Sequence, residues 1–507
     1  MVTAMNNEAG TTTGTMTSTS TMTSTSTMLG SSLATTNLER KELLRDARYQ
    51  LIVAAVILLF ILIASGVIIA IKIRKESPEE DTPEKTDLTL KVPASTVAAS
   101  SEEPGTRNEE PGTTRNEEPQ EIEEAPTSTE YTKRTLDAYP LLCTYGTETN
   151  GSTLFPDDGL CDLIFYDSAY KHGRNLPTLA ASLSESMNAV LSASLGYKTT
   201  EIGIAFAFDH MATLLKDMKA DRFLEAFWDR HAYHFGIVDM PDFGVEHKDI
   251  IQVFVVLKEL SALAQKNPNA NEPPYIVLGA VPLKHADDYA SRMRDVYSPT
   301  LFISQGHFAF GDSEVPDCRV YPPTILTKPL ASQGYLYDLK DAANALKKIQ
   351  DEGGSAKWLL SVGMKGRWTK VHPGAPFHPS NPCLSDSQAE PFGNYAQVCA
   401  DRYLNSSLRY SDALEAMYTF HVARRTMFMY DDEQGLCRKM CYIKSRQGAL
   451  RFGVAAYDLD YEDYNNNCAA RNRFGAFSRL KMVRRIVDYF RSSPAGGGDC
   501  ENDVPCA

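Results

Sequence analysis

Short apolar runs alternate with stretches of helical periodicity from residue 138 to residue 492. The runs predict eight strands, at Leu141–Tyr145, Leu163–Tyr166, Ile202–Phe208, Gly236–Asp239, Tyr275–Val281, Thr300–Ser304, Trp358–Val362 and Phe452–Tyr457. Helices are predicted between most of them, for example at Pro177–Ser194, Asp221–Tyr233, Ile251–Lys266, Leu339–Gln350 and Leu436–Lys444. This alternation predicts an α/β fold, a (β/α)8 TIM barrel over 138–492, and the alternative is an open doubly wound sheet.

A different pattern precedes the barrel. Leu51 to Ile71 is an uncharged apolar run of 21 residues. At about 1.5 Å per residue, a helix of this length covers roughly 30 Å, one bilayer core. The run starts too late and is too long for a signal peptide. We therefore predict one transmembrane helix over residues 50–72.

The segments on either side of this run have compositions that do not fold. Residues 1–49 contain twin Thr/Ser/Met repeats, which predict a disordered tail. Residues 73–137 are predicted to be a disordered stalk rich in Pro, Glu and Thr. Between 76 and 130 there are 16 acidic and 4 basic residues, so 4 − 16 = −12 of the formal net charge of −14 lies here. The folded part is nearly neutral, and without a basic stripe it gives no support for nucleic-acid binding.

Cysteines and glycosylation sequons predict the orientation in the membrane. All ten cysteines and both Asn-x-Ser sequons, at Asn150 and Asn405, follow the apolar run. Oxidising compartments favour disulfides and glycosylation. Basic residues flank both ends of the run, so their distribution barely favours one orientation over the other. We expect a single-pass type II membrane protein with an extracellular or lumenal C-terminal domain, glycosylated at Asn150 and Asn405.

Several ordered motifs resemble the family 18 glycoside hydrolases, which are the chitinases and chitinase-like lectins. They are Tyr430-Asp431-Asp432, the Gly453–Asp460 stretch before Cys468, Trp358–Arg367, and Tyr395–Cys399, with Cys143 and Cys161 near the first strands. The resemblance implies a TIM barrel with a small insertion after the seventh strand. It also implies disulfides Cys143–Cys161 and Cys399–Cys468. The pairing of Cys318, Cys383, Cys437 and Cys441 stays open, and residues 493–507 form a short tail that contains cysteines.

The fourth strand of that family carries Asp-x-x-Asp-x-Asp-x-Glu, whose Glu protonates the leaving oxygen and whose neighbouring Asp holds the substrate acetamido group. Alignment on Phe235 puts Gly236, Asp239, Pro241 and Phe243 at these four positions. Side chains alternate along a strand, so we expect the last three of them to face the barrel mouth. Only Asp239 is a carboxylate, and a register slip does not restore the Glu. The resemblance therefore implies no catalytic residue at this motif.

The remaining family positions also differ. The sixth strand, 302–307, lacks the family's Tyr and Asp, and Tyr457 stands where the family has a Trp. Asp239, Tyr457 and Trp368 are the candidate ligand-binding residues, since aromatic faces stack on sugars. No metal ligand set and no cofactor-binding motif is recognised, because metal sites need three or four convergent ligands.

We expect a membrane-anchored, catalytically inactive chitinase-like protein that recognises a chitin-like glycan or a protein at the cell surface. One alternative is an active hydrolase of N-acetylglucosamine polymers that uses Asp239 with a relocated carboxylate, for which Glu246 is a candidate. Another is a structural ectodomain whose barrel mouth is filled by Phe243 and its neighbours. The sequence does not identify the ligand.

Overall fold

The computed structural model describes residues 136–171, 183–220, 222–267, 273–308, 318–329, 337–353, 355–384, 392–493 and 499–506. The expected tail, membrane helix and nearly all of the stalk, residues 1–135, lie outside this set. Within it, no helix combines the length and apolar character that a membrane span needs.

Eight parallel strands close into a barrel, as the apolar runs predict. In chain order they are β1 (Leu141–Tyr145), β2 (Leu163–Ala169), β3 (Glu201–Phe206), β4 (Ala232–Met240), β5 (Ile276–Ala280), β6 (Leu301–Ser304), β7 (Lys357–Gly363) and β14 (Gly453–Tyr457). Each strand pairs with the next one in this series, and β14 pairs with β1. This closure confirms the barrel and excludes the open sheet.

An antiparallel sheet is inserted between β7 and β14. Its strands are β8 (Gly366–Val371), β9 (Cys383–Leu384), β10 (Phe392–Gly393), β11 (Arg409–Ser411), β12 (Ala416–His421) and β13 (Thr426–Tyr430). Two short helices lie between β10 and β11, namely α7 (Ala396–Ala400) and α8 (Arg402–Ser406). The position agrees with the insertion that the family resemblance implies.

Most remaining helices lie in the connections between barrel strands. They are α1 (Glu185–Ser194), α2 (Met211–Asp217), α3 (Glu225–Trp228), α4 (His247–Ala264), α5 (Ala286–Asp295), α6 (Leu339–Glu352), α9 (Glu433–Arg446), α10 (Ser478–Ser492) and α11 (Cys500–Asp503). The predicted helix over 221–233 is wrong in extent, since only α3 is helical. Ala232 already pairs with Ile202 of β3, so strand pairing prevails over local helical pattern there.

Close packing inside the barrel is visible at Gly203 in β3. A Cβ atom there would lie 2.4 Å from the ring of Phe165, which leaves space only for glycine. Phe165 belongs to an inner apolar cluster with Val238, Val277 and Tyr457. The barrel interior is therefore filled by side chains, as in other eight-stranded barrels.

Five disulfides join all ten cysteines. Cys143–Cys161 and Cys399–Cys468 are the two pairs that the resemblance implies. The pairs that the sequence left open are Cys318–Cys383, Cys437–Cys506 and Cys441–Cys500. The last two fasten the C-terminal segment with α11 onto α9.

Candidate functional site

The barrel mouth lies at the C-terminal ends of the strands, where TIM-barrel proteins carry their active sites. Strand β4 reaches it through an irregularity in its pairing with β5. Ile237 pairs with Leu278 and Met240 with Ala280, so that Val238 and Asp239 together oppose Gly279. A bulge of this kind interrupts the alternation of side chains. The strict two-residue period expected from the sequence therefore does not continue through Asp239.

Asp239 lies partly buried at this bulge. One of its carboxylate oxygens accepts the backbone N–H of Phe208, which follows β3, at 2.9 Å. Burial raises the pKa of Asp239 to about 6, and the nearby carboxylates of Asp167 and Asp209 add to the rise. Lys171 and the Phe208 N–H act in the opposite direction. Asp239 thus accepts a proton at a higher pH than an exposed aspartate does.

The other three positions aligned with the family motif place no carboxylate in the mouth. A Cβ atom on Gly236 would lie 2.2 Å from the backbone oxygen of Val277, so no larger residue fits without movement. Pro241 follows the end of β4. Phe243 lies in a turn with 52% of its surface exposed, so its ring does not fill the barrel. This excludes the version of the structural alternative in which Phe243 is the plug.

The next two acidic residues in the chain, Asp242 and Glu246, take part in structural interactions. The side chain of Asp242 is completely buried and pairs with the Lys284 ammonium at 2.9 Å. Glu246 is exposed and forms a capping box with Asp249 at the start of α4. It also pairs with Lys248 at 2.7 Å. Glu246 is therefore a helix cap in this conformation.

The side chain of Tyr457 extends across the barrel interior at the base of the mouth, and 5% of its surface is exposed. Its hydroxyl donates to the backbone oxygen of Val238 at 2.9 Å, on the opposite side of the barrel. The Gln305 amide donates to the same hydroxyl at 3.4 Å and also to the Val238 oxygen. The His307 ring lies 4.6 Å from the Tyr457 ring, centroid to centroid. Burial lowers the pKa of His307 to about 3, so this imidazole is neutral.

Trp368 lies in a different place from the other two candidates. It belongs to β8 of the inserted sheet, and its ring packs against Phe428 with centroids 4.6 Å apart. Asp239 and Tyr457, in contrast, are close enough for the Asp239 charge to raise the pKa of Tyr457, in addition to the larger effect of burial. The fold therefore brings Asp239 and Tyr457 together and puts Trp368 in the insertion.

The mouth also contains charged residues that the sequence analysis did not select. Asp458 pairs with Lys365 at 3.1 Å, and Asp460 accepts the Glu148 backbone N–H at 3.1 Å. Asp167, near the end of β2, lies across Gly146 from Asp460. A Cβ atom on Gly146 would be 3.1 Å from an Asp460 oxygen and 3.4 Å from an Asp167 oxygen.

Burial raises the pKa of Asp167 and raises that of Asp460 well above its usual range. Lys171 interacts with both and with Asp239. A carboxyl with a raised pKa is a better candidate for proton donation than an exposed aspartate is. Asp167 and Asp460 each follow a predicted strand. Because the C-terminal ends of barrel strands meet at the mouth, this position in the sequence could have identified both residues as candidates.

Both sequon asparagines lie on the surface of the folded domain. Asn150 is exposed, and its side-chain oxygen accepts the Ser152 backbone N–H at 2.9 Å and the Ser152 hydroxyl at 2.6 Å. Asn405 is exposed as well and accepts a hydrogen bond from Arg471 at 2.6 Å. The Asn150 amide nitrogen donates to the Glu148 backbone oxygen at 3.4 Å, and Asn405 lies within α8.

The eight-stranded parallel barrel is a fold that this chain shares with family 18 chitinases and chitinase-like proteins. An immunomodulatory active chitinase of Trichuris suis matches with a TM-score of 0.50 and 14% identity, covering 68% of this chain and 99% of that chain. A group IV chitinase of Ostrinia furnacalis matches with a TM-score of 0.50 and 14% identity, covering 69% and 100%.

Human YKL-39 matches with a TM-score of 0.50 and 12% identity, covering 68% of this chain and 99% of that chain. It is described as a pseudo-chitinase with retained chitooligosaccharide binding properties. No protein-family model and no curated protein sequence matches this chain. At these identities the likeness establishes the fold, and the activity has to be argued from the site.

Proposed function

We propose that this chain is a membrane-anchored chitinase-like protein that recognises a chitin-like glycan or a protein ligand without hydrolysing N-acetylglucosamine polymers. The proposal rests on the residue that stands at the proton-donor position after the end of β4. Phe243 stands in an exposed turn at the position aligned with the family's proton donor. General acid help contributes typically about 10²–10⁴-fold and needs a carboxyl within reach of the leaving oxygen.

The mouth keeps features that suit binding. Carboxylates and ammonium groups at the strand ends offer hydrogen-bond acceptors and donors to hydroxyl groups. Human YKL-39 has the same fold, and its description combines a pseudo-chitinase with chitooligosaccharide binding. That protein gives a precedent for recognition on this barrel without turnover, and we extend it to this chain as a hypothesis.

A second candidate function is hydrolysis with a relocated carboxylate. The specific support is that burial raises the pKa of both Asp239 and Asp167 in the mouth. A raised pKa is what a general acid needs near neutral pH. This candidate differs from the first in requiring turnover.

One experiment separates the two functions. The purified full-length chain is incubated with N-acetylglucosamine oligomers, and both binding and product release are measured, with Asp239→Asn and Glu246→Gln as variants. We expect no product, weaker binding in Asp239→Asn, and unchanged binding in Glu246→Gln, whose side chain caps α4 and pairs with Lys248. Turnover that disappears in Asp239→Asn would establish the hydrolase and overturn the recognition proposal.

We further propose that residues 50–72 anchor the chain and that the barrel is extracellular or lumenal. The support is the uncharged apolar run together with the position of every cysteine and sequon after it. Asn150→Gln and Asn405→Gln should each remove one glycan, seen as a mobility change that glycosidase treatment eliminates. Equal mobility of both variants and the parent chain would refute this orientation.

A further inference from the structure

A cavity of about 630 Å³ lies at the base of the barrel, at the end opposite the mouth. Its lining residues lie between α2 and β4 and at the end of α4, just before the chain enters β4 and β5. The helix predicted over 221–233 is the four-residue α3 here, which covers less of the barrel than a helix of full length. Small-molecule sites usually range from about 300 to 1,000 Å³, so this basal cavity has the size of a binding site.

Most of the lining of the basal cavity is apolar. Met218, Phe223 and Leu224 are buried, while Trp228 and Leu263 are partly buried and pack against the main core cluster. Phe223 and Trp228 place two aromatic side chains in the lining. Aromatic rings pair with one another in offset or edge-to-face arrangements. A ligand with an aromatic body therefore fits this lining better than a strongly hydrated one does.

The charged side chains of the lining are not balanced. They are Lys219, Arg222, Lys266 and Glu225, which give a formal charge of +2. Arg222 and Glu225 pair with each other. The ammonium groups of Lys219 and Lys266 are exposed and form no ion pair with any residue that the structure describes. These two lysines are therefore available to an anion.

A buried donor in the lining also lacks an acceptor. The indole nitrogen of Trp228 is buried and forms no hydrogen bond within the described part of the chain. Most buried polar groups in proteins are paired, so an unpaired one requires an explanation. An indole N–H and an ammonium group can only donate. The nitrogen groups that this lining leaves unpaired are thus all donors, and a ligand with acceptor oxygens matches them.

We propose that the basal cavity binds a small aryl carboxylate, whose ring packs on Trp228 and Phe223 and whose carboxylate pairs with Lys219 and Lys266. Inorganic phosphate would satisfy the lysines but would lose its hydration against an apolar lining without compensation. The site lies at the other end of the barrel from Asp239 and does not depend on glycan recognition in the mouth.

The test measures binding of cinnamate and of its uncharged amide, cinnamamide, to the full-length chain by ligand-observed NMR and calorimetry. The two probes have the same aromatic body and differ in charge, so the ratio of their dissociation constants isolates the contribution of the lysines. Lys219→Met and Lys266→Met, separately and together, remove ammonium groups at exposed positions. Lys258→Met is the matched control, because Lys258 is an exposed residue of α4 outside the cavity lining. Trp228→Phe reduces the aromatic surface.

We expect cinnamate to bind about tenfold more tightly than cinnamamide, as for one charge-assisted interaction. The joint lysine variant should bind both probes equally, whereas Lys258→Met should keep the tenfold ratio. Trp228→Phe should weaken both probes to a similar extent.

Absence of cinnamate binding, or equal binding of the two probes by the parent chain, would overturn the proposal. Loss of the preference in Lys258→Met as well would show a general attraction of the surface for anions and would also overturn it. The same holds if Trp228→Phe leaves both constants unchanged, or if inorganic phosphate displaces cinnamate in simple competition, since the cavity would then be an ion site. The binding of N-acetylglucosamine oligomers decides the function of the mouth independently.

Discussion

Replacing Asp239 with asparagine removes a carboxylate whose pKa burial raises to about 6. The amide oxygen of asparagine can still accept the Phe208 N–H that Asp239 now accepts at 2.9 Å. Lys171 loses one anionic neighbour but keeps Asp167. The substitution therefore changes the charge in the barrel mouth with little change of shape.

The expected magnitude follows from linkage between protonation and folding. The folded chain binds this proton with a pKa of about 6, against an ordinary value of 3.8. Protonation of Asp239 therefore favours the folded state fully below pH 3.8, and this advantage is lost as the pH rises to 6. At 1.36 kcal/mol per pKa unit, ionised Asp239 costs about 3 kcal/mol of folding free energy above pH 6. Asparagine is uncharged, so the variant lacks this destabilising contribution.

The assay is thermal unfolding of the parent chain and Asp239→Asn between pH 4 and pH 8. With an unfolding entropy of about 2.1 cal/mol/K per residue over roughly 350 residues, 3 kcal/mol corresponds to about 4 °C. We expect the variant to unfold about 4 °C higher at pH 8 and at the same temperature at pH 4. The exposed Asp295→Asn is the control and should show no such pH dependence. A variant that is less stable than the parent at pH 8 would refute the reasoning, because ionised Asp239 would then be stabilised by Lys171.

Three further predictions concern stability and can be measured by denaturation. Arg479→Met should cost about 3–5 kcal/mol, since it leaves the buried Glu462 carboxylate without its ionic partner, and an equal effect from Lys347→Met would contradict this. Joint replacement of Cys437 and Cys506 by serine should cost about 3 kcal/mol. This is less than the loss of a single disulfide that closes a loop of the same length, because Cys441–Cys500 still holds the C-terminal segment. Tyr457→Phe should cost about 1 kcal/mol, because it leaves the Val238 oxygen to Gln305 alone, and no loss would argue against this bond across the barrel.

The fold could be predicted largely from the sequence because its signal is local. A buried strand such as β1 is a short apolar run, and all eight barrel strands coincide with predicted runs to within a few residues at their ends. Helices such as α6 begin at the predicted residue because amphipathic periodicity is also a property of neighbouring positions. The alternation of the two elements then limits the architecture to few solutions.

The contents of the site required contacts between distant segments. Asp167 and Asp460 are far apart in sequence and meet only because the barrel closes. Asp239 lies at a bulge that depends on pairing with β5, which the residues of β4 alone do not specify. Trp368 follows β7 closely in the chain, yet the inserted sheet carries its ring onto Phe428.

By itself, the sequence determined the eight-stranded barrel, because apolar periodicity is a property of the chain. Its resemblance to family 18 glycoside hydrolases indicated an insertion after the seventh strand, and Phe243 leaves position 243 without a carboxylate. The tertiary structure decided which charges share the mouth, which cysteines pair with Cys437 and Cys441, and where Phe243 and Asp242 point. These depend on barrel closure and on a single bulge, where one extra residue changes the direction of the side chains that follow.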